Sequence, residues 1–309
     1  MSVAFEQLKA LYRLSRGTQA TLSLAQPVIG VLLATTDPPA GRFALAFAVM
    51  VAGFFAAFAL NDLLDAPLDR RRRDDAEPGS GSGSGQEQGW DLERAGLHPL
   101  AGGRLSLRAG VWWAGGLGAV ATAGLAVLSL TALALFVAGV LLEAAYCALA
   151  RRSPYKVFLS GVLVVCGAVA GWFVFTDTVD ARLGLFALWM ATWEMGGRNV
   201  PNDLADVDED TRLGITTLPT VHGPRRSAVF AFCCLLVAAV SCVALALAAR
   251  PAFGTVGVAV AAMSALLLLV APGVRMLRDP SGATALTLFN CASFQPPCVL
   301  LGCLAGLWW

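Results

Sequence analysis

Apolar runs of about twenty residues, separated by short polar segments, recur from one end of the chain to the other. They fall near 18–36, 43–62, 106–128, 130–150, 157–176, 182–200, 227–249, 252–271 and 283–309. A helix of about twenty apolar residues crosses the hydrocarbon core of a bilayer. The pattern therefore predicts nine transmembrane helices. Membrane barrel strands would be shorter and would alternate apolar with polar positions. Backbone groups without access to water must be satisfied within each helix, so the expected fold class is an all-α polytopic membrane protein. Composition agrees: 57% of residues are hydrophobic and the mean hydropathy is +0.68, too apolar for a water-facing surface. Lys9, Arg13 and Arg16 lead into a full span without a small-residue cleavage site, so the first helix is expected to stay in place.

Charge gives the bundle a direction. The net charge is only +1, yet nine spans place 19 of the 22 basic residues on one side and leave Arg42, Arg182 and Arg250 on the other. The positive-inside rule puts the basic side in the cytoplasm. The expectation is a multi-pass protein of the inner or plasma membrane, with membrane lipid around it and no nucleic-acid partner. The eight cysteines all lie in apolar runs without metal or disulfide spacing and read as small core hydrophobes.

One polar stretch interrupts the pattern. Residues from about 74 to 95, containing Gly79-Ser80-Gly81-Ser82-Gly83-Ser84-Gly85, have the composition of a flexible cytoplasmic linker. No second soluble domain fits there, so residues 1–309 form a single transmembrane domain.

A repeat carries the chemistry. Asn61-Asp62-Leu63-Leu64-Asp65-Ala66-Pro67-Leu68-Asp69 and Asn202-Asp203-Leu204-Ala205-Asp206-Val207-Asp208-Glu209-Asp210 share the pattern N-D-L-x-D-x-x-x-D, with starts 202 − 61 = 141 residues apart. One follows the second span and the other the sixth. The expected architecture is two four-helix repeats plus one helix around a central cavity, with the acidic motifs facing each other. Positions i, i+3 and i+7 share a helix face. Asp62, Asp65 and Asp69 then form one acidic stripe, and Asp203, Asp206 and Asp210 the other. Six converging carboxylates near a low-dielectric bundle require a multivalent cation, and hard oxygen ligands suit Mg²⁺ shared with substrate phosphates. Asn61 and Asn202 add amide groups beside the stripes. Arg72, Arg104, Lys156 and Arg198 are the cations best placed to hold a diphosphate, whose departure leaves an allylic carbocation. Aromatic residues such as Phe54, Phe55, Tyr146, Phe173 and Trp193 are candidates to line the prenyl pocket, and ordinary helix packing is the competing reading for each.

These motifs resemble those of the UbiA-type intramembrane prenyltransferases, a family with nine transmembrane helices and aspartate-rich motifs after the second and sixth. Asn61-Asp62-x-x-Asp65-x-x-x-Asp69 is similar to the first motif. Asp203-x-x-Asp206-x-x-x-Asp210, followed by Gly214, Thr217-Leu218-Pro219 and Gly223, is similar to the second. The resemblance implies that the six aspartates bind Mg²⁺-diphosphate, with Asp65, Asp69, Asp206 and Asp210 among the catalytic residues. It also implies diphosphate-binding roles for Arg16 and for Lys156 in Tyr155-Lys156. His98-Pro99-Leu100-Ala101-Gly102-Gly103-Arg104 resembles the family's Arg-Pro-Leu-x-x-Gly stretch, with His98 in the place of arginine. The implied activity is Mg²⁺-dependent transfer of a prenyl group from an isoprenyl diphosphate to an aromatic or lipophilic acceptor.

Carboxylates inside spans are costly and tend to face a cavity or a partner. Glu194 lies four residues before Arg198, which fits either an i,i+4 ion pair or a catalytic group taking a proton from the acceptor. Glu143 could orient Tyr146 or line a pocket entrance. Asn290, Ser293 and Gln295 flank Pro296-Pro297 and are expected to satisfy backbone groups at a kink. Two other functions use the same residues. A terpene cyclase would let the substrate's own double bonds capture the cation, and a divalent-cation transporter would use the acidic stripes as an ion site.

Overall fold

The computed structural model describes residues 3–74, 99, 100 and 103–307, with side chains described except at 3, 4, 65 and 67–74. Among them every regular element is helical. The linker expected near 74–95 and His98 lie outside the described residues, apart from Asp74 at a helix end.

A short helix α1 (Val3–Leu14) precedes α2 (Gly17–Ser23) and α3 (Ala25–Ala34), which together make the first crossing. Arg16 joins α1 to α2 in the left-handed region, at φ 42°. The first acidic motif continues α4 (Ala40–Asp74) without a break. Helices α5 (Leu107–Leu128), α6 (Leu130–Leu149) and α7 (Val157–Phe175) complete the first half, and a 3-10 turn (Pro154–Lys156) leads into α7. The second half begins with α8 (Ala181–Trp193), a π-helical turn (Glu194–Asn199) and α9 (Val200–Ala205), followed by α10 (Val207–Leu213) and α11 (Leu218–His222). Helix α12 (Pro224–Ala248), α13 (Arg250–Ser264), a second π turn (Ala265–Val270), α14 (Ala271–Arg278) and α15 (Gly282–Gly306) finish the bundle.

Eight helices among the described residues are long and apolar enough to cross a bilayer. The expected span at 182–200 is helical throughout, as α8 runs through the π turn into α9. It falls short by composition, because its last turns carry Glu194, Arg198, Asn202 and Asp203. Three of them, Glu194, Arg198 and Asn202, line the cavity described below.

The second half packs as a dense core around Phe186, Trp189, Leu235 and Phe253, each with no exposed surface. Gln295, also fully buried, is part of this packing: it accepts from Trp189 Nε1 at 3.2 Å and donates to Cys242 Sγ at 3.5 Å, linking α15 to α8 and α12. Pro296 and Pro297 sit inside α15. Pro296 has no N–H to give the carbonyl four residues earlier, that of Ala292. Trp193 Nε1 takes that place, donating to Ala292 O at 2.9 Å. Trp193→Phe removes this buried donor and is expected to cost about 1–3 kcal/mol, read as a lower thermal midpoint of the solubilised protein. An unchanged midpoint would show that the freed carbonyl does not need the indole.

Two of the three basic residues of the sparsely charged face serve as structural clips. Arg182 pairs with Asp180, the N-cap of α8, at 2.6 Å, and this contact holds the Asp180 carboxyl below the usual carboxylate range. Arg42 donates to backbone carbonyls at the ends of α5 and α7. Arg250 opens α13.

Candidate active site

A cavity of about 280 Å³ runs between the halves, lined by residues of α2 to α9, the π turn and α15. None of its described lining residues comes from α12, α13 or α14. Both halves contribute to its wall, the first half more of it.

Polar groups gather at the end of the cavity where the acidic motifs lie. Arg16, Asn61, Glu143, Tyr146, Glu194, Arg198 and Asn202 all line it, with Trp193 beside them. Arg16 Nε donates to Asp62 Oδ1 at 2.8 Å, and Asp62 is buried. The strained backbone at Arg16 aims its side chain from the start of the first crossing onto the first acidic motif. Asn61 donates to the Glu143 carboxylate, which Cys147 Sγ also approaches at 3.6 Å. Glu143 therefore pairs with α4 and leaves Tyr146 to another partner, Asn199, which donates to the Tyr146 hydroxyl at 2.9 Å.

The π turn shapes the other side. Lengthening the hydrogen-bond spacing from i, i+4 to i, i+5 rotates Glu194, Arg198 and Asn199 relative to an α-helical register, a device found at functional sites. Gly196 and Gly197 permit it. A Cβ on Gly196 would meet Ala231 O at 2.5 Å, and one on Gly197 would meet Ala292 Cβ at 2.9 Å. Glu194 and Arg198 lie 4.0 Å apart, a loose i,i+4 pair. The Arg198 guanidinium sits over the Phe289 and Trp193 rings at 4.8 and 5.6 Å, and its Nε has no hydrogen-bond partner although it is buried. Buried donors are normally hydrogen-bonded, and Arg198 lines the cavity with this one still open to a partner.

Lys156 is buried beneath the same end, its ammonium 4.6 Å from the Tyr146 ring centroid. Arg104 stands apart: it is exposed, in the turn after Pro99, and does not line the cavity. Of the aromatic candidates Phe54, Tyr146 and Trp193 line the wall, while Phe55 and Phe173 do not. Arg72, Asp65 and Asp69 belong to α4, but their side chains lie outside the described set.

The second motif departs from a single helical stripe. Asp203 is on α9, Asp206 breaks the helix with φ −104° and ψ 11°, and Asp210 is on α10. Asp203 and Asp210 are buried and Asp206 is half-buried. Among the described residues no three metal-ligating side chains gather closely enough to form a finished metal site. The electrostatics still call for a cation. Asp203 is buried, with Asp206 and Glu194 as neighbours of like charge and Lys156 opposing them. Oxygen donors held in mutual repulsion fit a hard divalent ion.

Sequence reasoning passed over Asn199, Gln26 and Phe289, which also line the cavity. Polar residues inside apolar spans were the available signal for the first two. Phe289 gave none, because its role depends on where α15 crosses the π turn.

The fold and the site together define an all-helical polytopic membrane protein with an apolar cavity closed at one end by carboxylates, amides and buried cations. The model of the UbiA prenyltransferase family matches residues 23–294, and the chain belongs to that family. It is similar to digeranylgeranylglyceryl phosphate synthase of Methanoculleus marisnigri, 27% identical over 239 residues that cover 74% of this chain and 73% of that one. Among solved structures, a UbiA homologue from Aeropyrum pernix superposes with a TM-score of 0.70 at 19% identity, covering 93% of this chain and 98% of that one. A homologue from Archaeoglobus fulgidus, solved bound to DMAPP and Mg²⁺, superposes with a TM-score of 0.66 at 16% identity, covering 96% and 99%. The helical fold expected from the apolar pattern and the family expected from the motifs both hold, and the protein is a prenyltransferase by family.

Proposed function

We propose that this protein transfers a prenyl group from an isoprenyl diphosphate to a lipophilic acceptor in a Mg²⁺-dependent reaction, with its site on the cytoplasmic face of the inner or plasma membrane. The observation that carries the reading is the polarity of the cavity: an apolar wall ends in Arg16, Asn61, Glu194, Arg198 and Asn202, next to both acidic motifs. A relative named for a glyceryl phosphate product supports a lipophilic acceptor, and the 19-to-3 asymmetry of basic residues supports the orientation.

In this reading Asp62, Asp65, Asp69, Asp203, Asp206 and Asp210 hold the metal, and Asn61 and Asn202 assist at the diphosphate. Bound Mg²⁺ supplies the charge that makes diphosphate a competent leaving group. Arg16, Lys156 and Arg198 receive the growing negative charge on the departing oxygen, with Arg72 near the motif end of α4. The C1–O bond breaks and both electrons leave with the diphosphate. Tyr146, Trp193 and Phe289 face the allylic cation with their rings. The acceptor's electron pair forms the new bond to C1, and Glu194 takes the proton the acceptor loses. The carboxylates lie at one end of the cavity, away from the middle of the bundle where an ion-permeation site would sit.

Full-length protein in lipid nanodiscs, given Mg²⁺, prenyl diphosphates and a panel of phenolic and glyceryl phosphate acceptors, should release diphosphate and form an alkylated acceptor. EDTA should abolish both. Release with a cyclic product and no acceptor consumed would replace transfer by cyclisation, and no release from any prenyl diphosphate would refute the proposal.

A further inference from the structure

The first crossing carries a stripe of hydrogen-bonding side chains through an apolar span. Gln19, Ser23 and Gln26 follow at i, i+4 and i+7, on one face of α2 and α3. Leu24 between the two helices keeps a helical backbone, with φ −59° and ψ −23°. All three side chains are buried. Neither amide atom of Gln19 is bonded, and among the described residues Ser23 and Gln26 have no hydrogen-bond partner either. Ser23 and Gln26 line the cavity. Unpaired polar groups inside a membrane bundle are costly, and such residues mark the paths of substrates.

This pair stands apart from the charged end. Ser23 and Gln26 lie 23 − 16 = 7 and 26 − 16 = 10 residues beyond Arg16, about 10 and 15 Å of helix rise. Helix α7 agrees: Pro27, next to Gln26, packs on Gly171, which is 171 − 156 = 15 residues beyond Lys156, about 22 Å of rise. The charged residues of the lining are Arg16, Glu143, Glu194 and Arg198, all at the polar end. Around Gly171 the wall is Gly167 and Ala170 on α7, with Phe54 of α4 across from them, since a Cβ on Gly167 would meet Phe54 Cζ at 3.3 Å. None of these side chains offers an amide a conventional hydrogen bond.

An isoprenyl chain has no hydrogen-bonding atom, and a diphosphate belongs with the cations at the other end. The second reactant is the partner left for this pair. We propose that Ser23 and Gln26 form the acceptor subsite and take a neutral hydroxyl or carbonyl group, carried on the side of the acceptor away from its reacting atom; this rests on the prenyl-transfer reading above. Serine and glutamine side chains both donate and accept hydrogen bonds, so they meet either group. An ionised group there would lie in an apolar wall without a counter-charge.

The test gives the full-length protein in nanodiscs Mg²⁺, a prenyl diphosphate and four acceptor probes: hydroquinone, phenol, para-hydroxybenzoate and a monoalkyl glyceryl phosphate. Hydroquinone should be alkylated with a kcat/KM at least tenfold above that of phenol, which lacks the far hydroxyl, and of para-hydroxybenzoate, which carries a charge in its place. Gln26→Leu should raise the hydroquinone KM about tenfold, the scale of losing one hydrogen bond, and erase the preference over phenol, with the KM for prenyl diphosphate within twofold of wild type. Ser23→Ala should act in the same direction, and Ser23→Thr, which keeps the hydroxyl, should restore the wild-type KM. The thermal midpoint of Gln26→Leu should not fall, because an unpaired amide is removed. Transfer confined to the glyceryl phosphate, equal use of hydroquinone and phenol, an unmoved hydroquinone KM, or equal rises in both KM values would overturn the subsite. Should Gln26→Leu fail to fold, the wild-type preferences and the two Ser23 variants decide the matter. Diphosphate release with none of the four probes alkylated defeats the transfer reading on which this rests, and no release defeats the activity itself.

Discussion

Asp203→Asn is expected to slow diphosphate release by about 10²- to 10³-fold, the scale of losing one preorganised charge-stabilising group, while leaving the bundle folded. Asparagine keeps the shape and removes the charge that burial already opposes. Mg²⁺ at pH 7 should raise the thermal midpoint of wild type more than that of the variant. Diphosphate release at the wild-type rate, or an equal Mg²⁺-induced rise in the two proteins, would remove Asp203 from the metal site.

Gly171→Val should prevent the bundle from assembling. At Gly171 the α7 backbone presses on α3, and an added Cβ would fall inside contact distance of the Pro27 carbonyl. Gly30 makes the reciprocal approach from α3, where a Cβ would meet Ala168 O at 2.8 Å. Close backbone contact through small residues is how membrane helices gain packing energy without a hydrophobic drive between them. Neither partner here is the end of a flexible side chain, so the strain has no cheap relief. A cost above about 3 kcal/mol is expected, seen as loss of monodisperse protein after extraction. Gly184→Ala on α8, where an added Cβ meets nothing within 4 Å, should behave as wild type. Equal yields from Gly171→Val and Gly184→Ala would show that the α3–α7 contact is not limiting.

Much of this was legible along the chain. The apolar runs marked the helices, because bilayer thickness and internal hydrogen bonding leave few other solutions. The repeated register of Asn61-Asp62 and Asn202-Asp203 singled out Asn61 and Asn202, which both line the cavity, since duplicated carboxylates at helix ends are costly without a ligand. Arg16, Glu143, Tyr146, Glu194 and Arg198 were all identified before the fold and all line the cavity. Arg104 was not brought there, because basic residues near a motif in sequence are numerous and only the turn after Pro99 decides where this one points.

The remainder depends on how helices meet. The π turn at Glu194–Asn199 leaves no periodic mark in six residues, and within it Gly196 and Gly197 press against α12 and α15. The break at Asp206 likewise turns a regular acidic spacing into groups on two short helices. The Arg42 clip joins residues 86 and 132 positions apart, a distance across which local sequence carries no information. By itself the sequence determined the membrane, the helices and the charged chemistry, since solvation and periodicity act residue by residue. Only the tertiary structure decided the cavity's place and the pairing of its polar groups, because those arise where distant backbones come within van der Waals contact.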